Sequence, residues 1–419
     1  MNSIIKTLIA GSLLLPAAAN AQQAERVLSW EDCVSIALQS NAALSAQKQA
    51  VAAAEYKYYA TRNSLYPSIS ASHSLSRSGS GNTAANSTSL GLNSNIDLWN
   101  PGDYASIKTQ RMTLDKATAD LKAQLATLRS DLKTAFISML YAQENLQLTK
   151  SIYDLRQKNA NTIELQYASG RESKGNMMYA QAQAYQAKSD IAAAERSMAT
   201  SRRNLLKVLG LPAYEIVRAS GTLLAPAFSS SDDIDALALK VPAVMQSAAS
   251  IQVSKAQYDA AGVDMYPSLT SSQSLGWSGN TEFPQYRNWS LGVQLSWPLF
   301  SNGITYHKNN VAAARAQYTQ AEETYRQQLL TSRADLQTAK AAVESDMDTI
   351  KSNEYMLEAE KQRHSESQVK YLSGNLSFQD WETVEQSLVS AEKNYLSSKR
   401  QALADLASWE KLLGLTPGE

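Results

Sequence analysis

Side chains that commonly carry chemistry are few in this sequence, and they lie far apart. The three histidines, His73, His307 and His364, have no nearby cysteine with which they could form a metal site. The single cysteine, Cys33, lies in what looks like the first turn of a helix, where a packed thiol is expected. Glycine-rich phosphate loops and the serine elbow of hydrolases are absent from the sequence. We therefore expect no enzyme, no cofactor and no metal site.

Two adjacent methionines, Met177 and Met178, also suggest chemistry at first sight. Thioether sulfur is a ligand for soft metal ions such as Cu(I). Methionine is also a common gap-filling residue between packed helices. Because the surrounding sequence has a helical pattern, we interpret this pair as packing residues.

The charge of the chain excludes one class of partner. There are 39 basic and 39 acidic residues, so the formal net charge is zero. The basic residues form no stripe of the kind that binds nucleic acid. We expect no nucleic acid partner.

The first residues are typical of a secretory signal peptide, which we place at 1–21. Lys6 precedes an apolar run, and Ala19-Asn20-Ala21 is a small-residue cleavage site. We expect the mature chain to begin at Gln22, without a cysteine there that could carry a lipid. No later stretch approaches the run of about 20 apolar residues that a transmembrane helix needs. Any part inside a membrane is therefore expected to consist of strands.

The rest of the chain contains the same motifs twice, in the same order and at nearly the same spacing. Three pairs of segments show the repetition: 66–68 and 266–268 (Tyr-Pro-Ser), 167–170 and 371–374 (Tyr-x-Ser-Gly), and 207–211 and 411–415 (Lys-x-Leu-Gly-Leu). This pattern indicates a unit of roughly 190 residues that occurs twice. We expect repeat 1 at 22–211, a linker at 212–231 and repeat 2 at 232–419.

Each repeat contains two stretches in which apolar and small polar residues alternate, which predicts strands with one apolar face. They lie at about 67–99, with a loop at 78–88, and at about 267–298. Strands of roughly ten residues can cross a hydrocarbon layer when tilted. Tryptophans near the strand ends suit an aromatic girdle at the membrane surface: Trp99, Trp277, Trp289 and Trp297. A soluble sheet with one buried face would show the same alternation and stays an alternative at this point.

Helices account for most of the remaining chain, so we predict a mainly α protein with a small β part. An opening helix is expected over 27–63, interrupted at Asn41, and repeat 2 is likewise expected to begin with a helix. A long helix and a return helix follow the strands of each repeat, at 103–168 and 175–211 in repeat 1 and at 303–372 and 377–415 in repeat 2. Apolar residues recur every seven positions in the long helices, which predicts helix-on-helix packing. Each long helix should extend about 100 Å.

Four strands cannot close a barrel, and an open edge cannot face lipid. The barrel must therefore be shared between chains. Two chains would give eight strands and an interior filled by side chains, whereas three would give twelve strands and leave a lumen.

The order of these motifs resembles that of the TolC family of outer-membrane efflux proteins. The resemblance rests on the Tyr-Pro-Ser strand entries, the strand exit at Trp297-Pro298, the glycine turns and the opening helix from Leu28-Ser29-Trp30-Glu31-Asp32. It covers the whole mature chain. It implies a homotrimer in the outer membrane of a Gram-negative bacterium, with a twelve-stranded barrel and a periplasmic helical tube formed by antiparallel hairpins. It also implies an export duct for small molecules or secreted polypeptides that docks to a periplasmic adaptor and an inner-membrane transporter.

The same resemblance assigns residues to two sites. The adaptor-docking tips correspond to the two turns, at Gly170 and Arg171 and at Gly374 and Asn375. The periplasmic gate corresponds to three residues after the second turn: Asp380, Glu382 and Thr383. The first turn departs from the family pattern, since Asn176 stands where an acid is usual. An acid in the first turn of a helix is also favoured as a cap, so Asp380 has two possible roles.

One other class of function fits the helices. Long heptad-patterned hairpins could form a periplasmic coiled-coil scaffold that has no channel. A duct needs detergent for extraction and migrates as a large oligomer, whereas a scaffold does not need detergent.

Overall fold

A computed structural model describes residues 26–81, 83–224, 228, 233–280, 284–299 and 303–418. The predicted signal peptide lies outside these residues, as do 225–227 and 229–231 of the predicted linker. Among the described residues, no helix combines the length and apolar character needed to span a membrane.

The described part of the chain is mostly helical, with a smaller antiparallel sheet. Its helices, in chain order, are α1 (Trp30–Ser40), α2 (Ala42–Arg62), α3 (Pro101–Ala168), α4 (Lys174–Leu209), α5 (Ile234–Ala238), α6 (Pro242–Ala261), α7 (Tyr306–Leu372) and α8 (Phe378–Leu412). Its strands are β1 (Arg26–Leu28), β2 (Ser68–Ser80), β3 (Thr83–Trp99), β4 (Val217–Ala219), β5 (Ser268–Gly279) and β6 (Tyr286–Ser296). The helices α3 and α7 contain 68 and 67 residues, which corresponds to about 100 Å each.

Strands and helices form one continuous wall. The sheet has the order β2-β3-β5-β6, with antiparallel neighbours throughout. Each strand is joined in sequence to a helix, and these helices pack in the same lateral order, α2-α3-α6-α7. Farther from the sheet, α4 packs on α3, and α8 packs between α3 and α7. The chain therefore extends the four strands as four columns of helix.

Local sequence signals start and stop the columns. Asn100 caps α3, since its side-chain oxygen accepts a hydrogen bond from Gly102 N at 3.0 Å, and Pro101 occupies the first helical position, which tolerates proline. At the far end of α4, Gly210 has a φ of 73°, and Leu211 N donates to Leu206 O at 2.9 Å. This left-handed glycine with a six-to-one hydrogen bond is a Schellman helix end.

The largest core lies midway along the wall, where α1, α3 and α4 meet a small parallel sheet formed by β1 and β4. Its fully buried side chains include Leu132, Met139, Leu205 and Val217. The Gln143 side chain on α3 forms the two hydrogen bonds that a neighbouring strand would form with β4. Its amide nitrogen donates to Ala219 O at 3.0 Å, and its amide oxygen accepts from Ala219 N at 2.9 Å. These bonds attach the segment between the two halves to the longest helix.

The structure differs from the sequence predictions at two places. Residues 26–28 form β1, although the sequence predicted a helix from residue 27, because their backbone pairs with Val217–Ala219 instead. The segment predicted as a loop at 78–88 is mostly strand, since β2 and β3 pair from Ser68↔Asn95 to Ser80↔Thr83. Small and polar residues occupy both faces of the hairpin in this segment, since Gly79 and Asn86 lie on the face that is apolar farther along the strands.

Candidate functional site

The sheet has two chemically distinct faces, and the pairing register shows them directly. Ala71, Leu92, Leu275 and Trp289 lie side by side across the four strands on one face. The next row, on the opposite face, consists of Ser70, Asn93, Ser274 and Ser290. Every second residue of β2, from Ser68 to Ser80, is a serine on this polar face. The alternation predicted from the sequence therefore continues across all four strands, so that apolar residues share one face and polar residues share the other.

The apolar face is exposed within the chain. Leu291, Val293 and Leu295 on β6 are 68%, 64% and 66% exposed. Polar residues interrupt this face, among them His73 and Gln273. An apolar sheet face of this size needs a covering medium or partner.

The four tryptophans of the predicted girdle lie at two levels. Trp277 and Trp289 lie on neighbouring strands toward the hairpin ends, with Leu275 pairing with Trp289. Trp99 pairs with Leu269 at the opposite end, where the Trp297 indole donates to Met265 O at 3.0 Å. From Trp289 to Trp297 an extended chain rises about 27 Å. Strands of outer-membrane barrels tilt by about 35 to 45°, so this length corresponds to a height of about 20 Å, within the apolar band of about 25 Å.

The opposite end of the molecule consists of two turns. Gly170 and Gly374 have φ angles of 74° and 80°, and the following residues, Arg171 and Asn375, each donate to a carbonyl of the preceding helix at 2.8 Å. A side chain added at either glycine would meet nothing within 4 Å. Both turns are thus exposed Schellman ends at the tips of the α3–α4 and α7–α8 hairpins.

Behind these turns, an aromatic cluster joins the two hairpins. Tyr371 is buried and stacks on Trp381, with ring centroids 4.7 Å apart. Its hydroxyl oxygen lies 2.6 Å from Gln166 Oε1 and 2.9 Å from Glu172 Oε2, both on the first hairpin. Burial together with the neighbouring Glu172 carboxylate raises the pKa of Tyr371. Burial opposes ionisation of Glu172, but hydrogen bonds from Ser173 N, Asn176 and Tyr371 lower its pKa on balance.

The three residues assigned to the gate have different surroundings. Asp380 is exposed in the first turn of α8, where its backbone N–H donates to Ser377 Oγ at 3.1 Å and its carboxylate accepts from the same hydroxyl at 2.7 Å. Glu382 accepts from the Tyr179 hydroxyl on α4 at 3.3 Å. The Thr383 hydroxyl donates to Gln379 O within its own helix, at 2.8 Å. Within one chain, therefore, the three do not form a single cluster.

Sequence reasoning did not identify a buried ionic contact between the hairpins. Glu385 on α8 is 1% exposed and lies 2.8 Å from Arg156 Nη1 on α3. The Asn159 side-chain amide also donates to its carboxylate. Burial raises the pKa of Glu385 to about 7, although the Arg156 guanidinium acts in the opposite direction. The signal was present in the sequence, because Glu385 follows Trp381 at helical spacing on the face of α8 that is buried.

These features define a class of protein: a wall segment with a membrane-type sheet at one end and long helical hairpins at the other. A sequence profile described as outer membrane efflux protein matches residues 33–211 and 234–415. The chain belongs to this family, which confirms the resemblance to TolC-type channels. It is an outer-membrane export duct that extends into the periplasm.

Individual relatives agree with this assignment. The cobalt-zinc-cadmium resistance protein CzcC of Cupriavidus metallidurans is 23% identical over 315 residues, which cover 74% of this chain and 73% of CzcC. The crystal structure of the channel CusC has the same fold, with a TM-score of 0.82, 20% identity and coverage of 92% and 91% of the two chains. The outer-membrane channel MtrE of Neisseria gonorrhoeae matches with a TM-score of 0.81, 21% identity and coverage of 92% and 88%. None of these comparisons supports the alternative of a scaffold without a channel.

Proposed function

We propose that three copies of this chain form the duct, with a shared twelve-stranded barrel. The sheet has two free edges, β2 and β6, and unpaired backbone groups cannot face lipid. Pairing β6 of one copy with β2 of the next removes both edges, and twelve strands leave a lumen where eight would not. The apolar face then contacts lipid and the row of serines faces water.

Internal duplication accounts for the four columns of each chain. The left-handed glycines Gly170 and Gly210 in the first half have counterparts in Gly374 and Gly414, with φ angles of 74°, 73°, 80° and 74°. Each of the two similar units has two strands and one long hairpin. Three chains would therefore contribute six similar units to the wall of the duct. The paired left-handed glycines support the predicted repeats 22–211 and 232–419, with the linker 212–231 between them.

The tryptophans are proposed to form the aromatic girdles of the barrel. Trp277 and Trp289 would lie at the outer surface of the membrane, and Trp99 and Trp297 at its periplasmic surface. The support is their two-level placement and the apolar side chains between the levels. Indole rings are favoured at membrane interfaces because they combine an apolar body with an N–H donor.

The cargo is proposed to be small solutes that an inner-membrane transporter delivers, including toxic compounds or metal ions. The polar sheet face carries mostly hydroxyl and amide groups, with Asp97 as its charged member among the described strand residues. Such a surface offers few charged groups to a cargo, so we infer that the choice of cargo resides mainly in the transporter. The name of the 23% identical relative, a cobalt-zinc-cadmium resistance protein, makes heavy-metal cations the first cargo to examine. We propose no catalytic role.

The turns at Gly170–Arg171 and Gly374–Asn375 are proposed to dock the periplasmic adaptor. They are exposed, and they lie at the end farthest from the sheet. A photocrosslinker at Arg171 or Asn375 should trap an adaptor in cells, and the matched control at Ser80, in the strand hairpin, should not. Crosslinks from Ser80 alone would mean that the orientation is reversed.

Asp380 is proposed to contribute to an acidic ring that closes the tip, with Glu382 and Thr383 beside it. Three copies of the exposed carboxylate around one axis would favour cations, as acidic rings do in other channels. The bonds between Asp380 and Ser377 favour the other role, a helix cap. Planar-bilayer recordings of Asp380→Ala separate the two. Weaker cation selectivity and weaker block by multivalent cations are expected from the ring, whereas unchanged conduction with a small loss of thermal stability would leave a cap.

The observation that carries the proposal is the four-stranded sheet with one apolar face, one serine-rich face and two free edges. The same recordings test it for the unmodified protein. Purified protein should insert into planar bilayers and conduct ions in steps of uniform size. A protein that extracts without detergent and never conducts would contradict the duct.

A further inference from the structure

We propose that the groove where the sheet meets the helices binds a zwitterionic aminophospholipid from the periplasmic leaflet of the outer membrane. The groove has a volume of about 500 Å³ and lies between the start of α3 and the end of α6. Trp99, Tyr104 and Tyr266 form its walls, and Lys108 and Asp259 lie at its helical end. The inference rests on the proposed orientation of the apolar sheet face toward lipid.

The groove is internal to one protomer. It lies where the inner strands β3 and β5 join α3 and α6, and these two helices pack directly on each other. Copies that pair through β2 and β6 would meet at α2 and α7, the outer columns of this part of the wall. A neighbouring chain therefore does not cover the groove, and Trp99, which pairs with Leu269, places it on the same side of the wall as the apolar sheet face.

The depth of the groove matches the headgroup level of a bilayer. Trp99 pairs with Leu269 on the apolar face, and from Leu269 to Trp277 the strand rises about 27 Å. At a tilt of about 40° this length covers about 20 Å of an apolar band about 25 Å tall, so Trp99 lies near the periplasmic boundary of that band. Lys108 lies about 10 Å farther along α3 than Pro101, and the polar region of a bilayer extends about 5 to 8 Å beyond the hydrocarbon on each side. The long lysine side chain can therefore place its ammonium at the level of the phosphates.

The charges of the groove match both charges of one headgroup. Lys108 Nζ lies 2.6 Å from Asp259 Oδ2, with side chains 55% and 40% exposed. An ammonium has three donors and a carboxylate has two acceptor oxygens, so each group can bind a further partner. A phosphate would accept from Lys108 while the primary ammonium of the same headgroup donates to Asp259. An anionic headgroup that lacks the ammonium would offer Asp259 no further cationic partner and would add a second negative charge beside it.

Aromatic side chains supply the apolar part of the site. Trp99, Tyr104 and Tyr266 are 43%, 53% and 57% exposed. These large side chains line the groove together with the apolar Val263. Their rings would pack on the glycerol end of the acyl chains, and their hydroxyl and indole groups can donate to ester oxygens. The groove thus joins an apolar wall to a dipolar end, which is the amphipathic order of a phospholipid.

The test measures which lipid remains with the intact oligomer. The full-length mature protein is reconstituted in nanodiscs that contain equal amounts of phosphatidylethanolamine and phosphatidylglycerol, released into mild detergent and analysed by native mass spectrometry. Phosphatidylethanolamine should be retained several-fold over phosphatidylglycerol. Asp259→Asn should abolish this preference because the ammonium loses its charged acceptor. Lys108→Gln should reduce the total lipid retained.

A second ion pair, formed within α3, provides the matched control. Lys116 Nζ and Asp120 Oδ2 are 2.9 Å apart, outside the groove, so Lys116→Gln and Asp120→Asn should leave lipid retention unchanged. Equal retention of the two lipids by the wild type, or a preference that survives Asp259→Asn, would overturn the proposal. Failure of the underlying orientation would look different, because the protein would then not incorporate into nanodiscs.

Discussion

Glu385 shows how a single buried residue couples the two hairpins to pH. Its carboxylate is among the most completely buried charged groups of the described residues, and its contact with Arg156 joins α8 to α3. A carboxyl group whose pKa is raised on folding favours the folded state at low pH. That contribution is complete below the unfolded pKa of 4.5 and is lost as pH rises through about 7.

We therefore predict that the folded state loses stability as pH rises from about 5 to about 7, because ionising the buried carboxylate costs more than its attraction to Arg156 returns. In thermal unfolding experiments over this pH range, the free energy of unfolding should fall less for Glu385→Gln than for the wild type. The difference should be at most about 3 kcal/mol. Burial and the Arg156 guanidinium lower the pKa of His364, and this residue is present in both proteins. Gln substitution of the exposed Glu366 on α7 is the matched control. Parallel pH profiles for wild type and Glu385→Gln would contradict the prediction.

At the scale of elements, the period of the hydrophobic pattern predicted the long helices and the four strands well. It could not show what depends on contacts between distant segments. β1 and β4 have three residues each, and their partner lies almost two hundred positions away, so neither has a local signal. The close approach of Gly210 to another helix is also invisible in sequence, although a Cβ there would lie 2.2 Å from Ser40 O.

In the candidate site, too, local features could be predicted from the sequence and contacts between distant segments could not. The turns at Gly170 and Gly374 were visible because a left-handed helix end favours glycine wherever it occurs. The Tyr371 contacts with Gln166 and Glu172 were not visible, since they join residues about two hundred positions apart that share no pattern. Which carboxylates face one another in the oligomer depends on other copies of the chain, so the roles of Asp380 and Glu382 stay predictions.

A strand is also the element on which the membrane assignment can be tested. Val293 lies midway between Trp289 and Trp297 on the apolar face and is 64% exposed. Val293→Arg should destabilise the folded protein in the membrane by about 2 to 4 kcal/mol, because the bilayer midplane disfavours the charge. The matched control is Gln294→Arg, the next residue on the polar face. Outer-membrane insertion, measured by fractionation, should fail for the first variant only, and equal tolerance of both would exclude a lipid-facing sheet.

At the scale of the whole molecule, one chain supplies a wall and not a tube. Its strands and helices share one lateral order. One type of contact between neighbouring copies would therefore close both the barrel and the helical part. The number of copies then fixes the width of the duct. Two copies would give a filled eight-stranded barrel, whereas three would give twelve strands and a continuous passage.

The mass of the purified complex tests this account most directly. Native mass spectrometry of the protein extracted in detergent should show one dominant species that contains three chains, and no stable dimer. The measurement needs no variant and does not depend on cargo, adaptor or transporter. A dominant monomer or dimer would contradict the account, because neither could enclose a lumen with these four strands per chain.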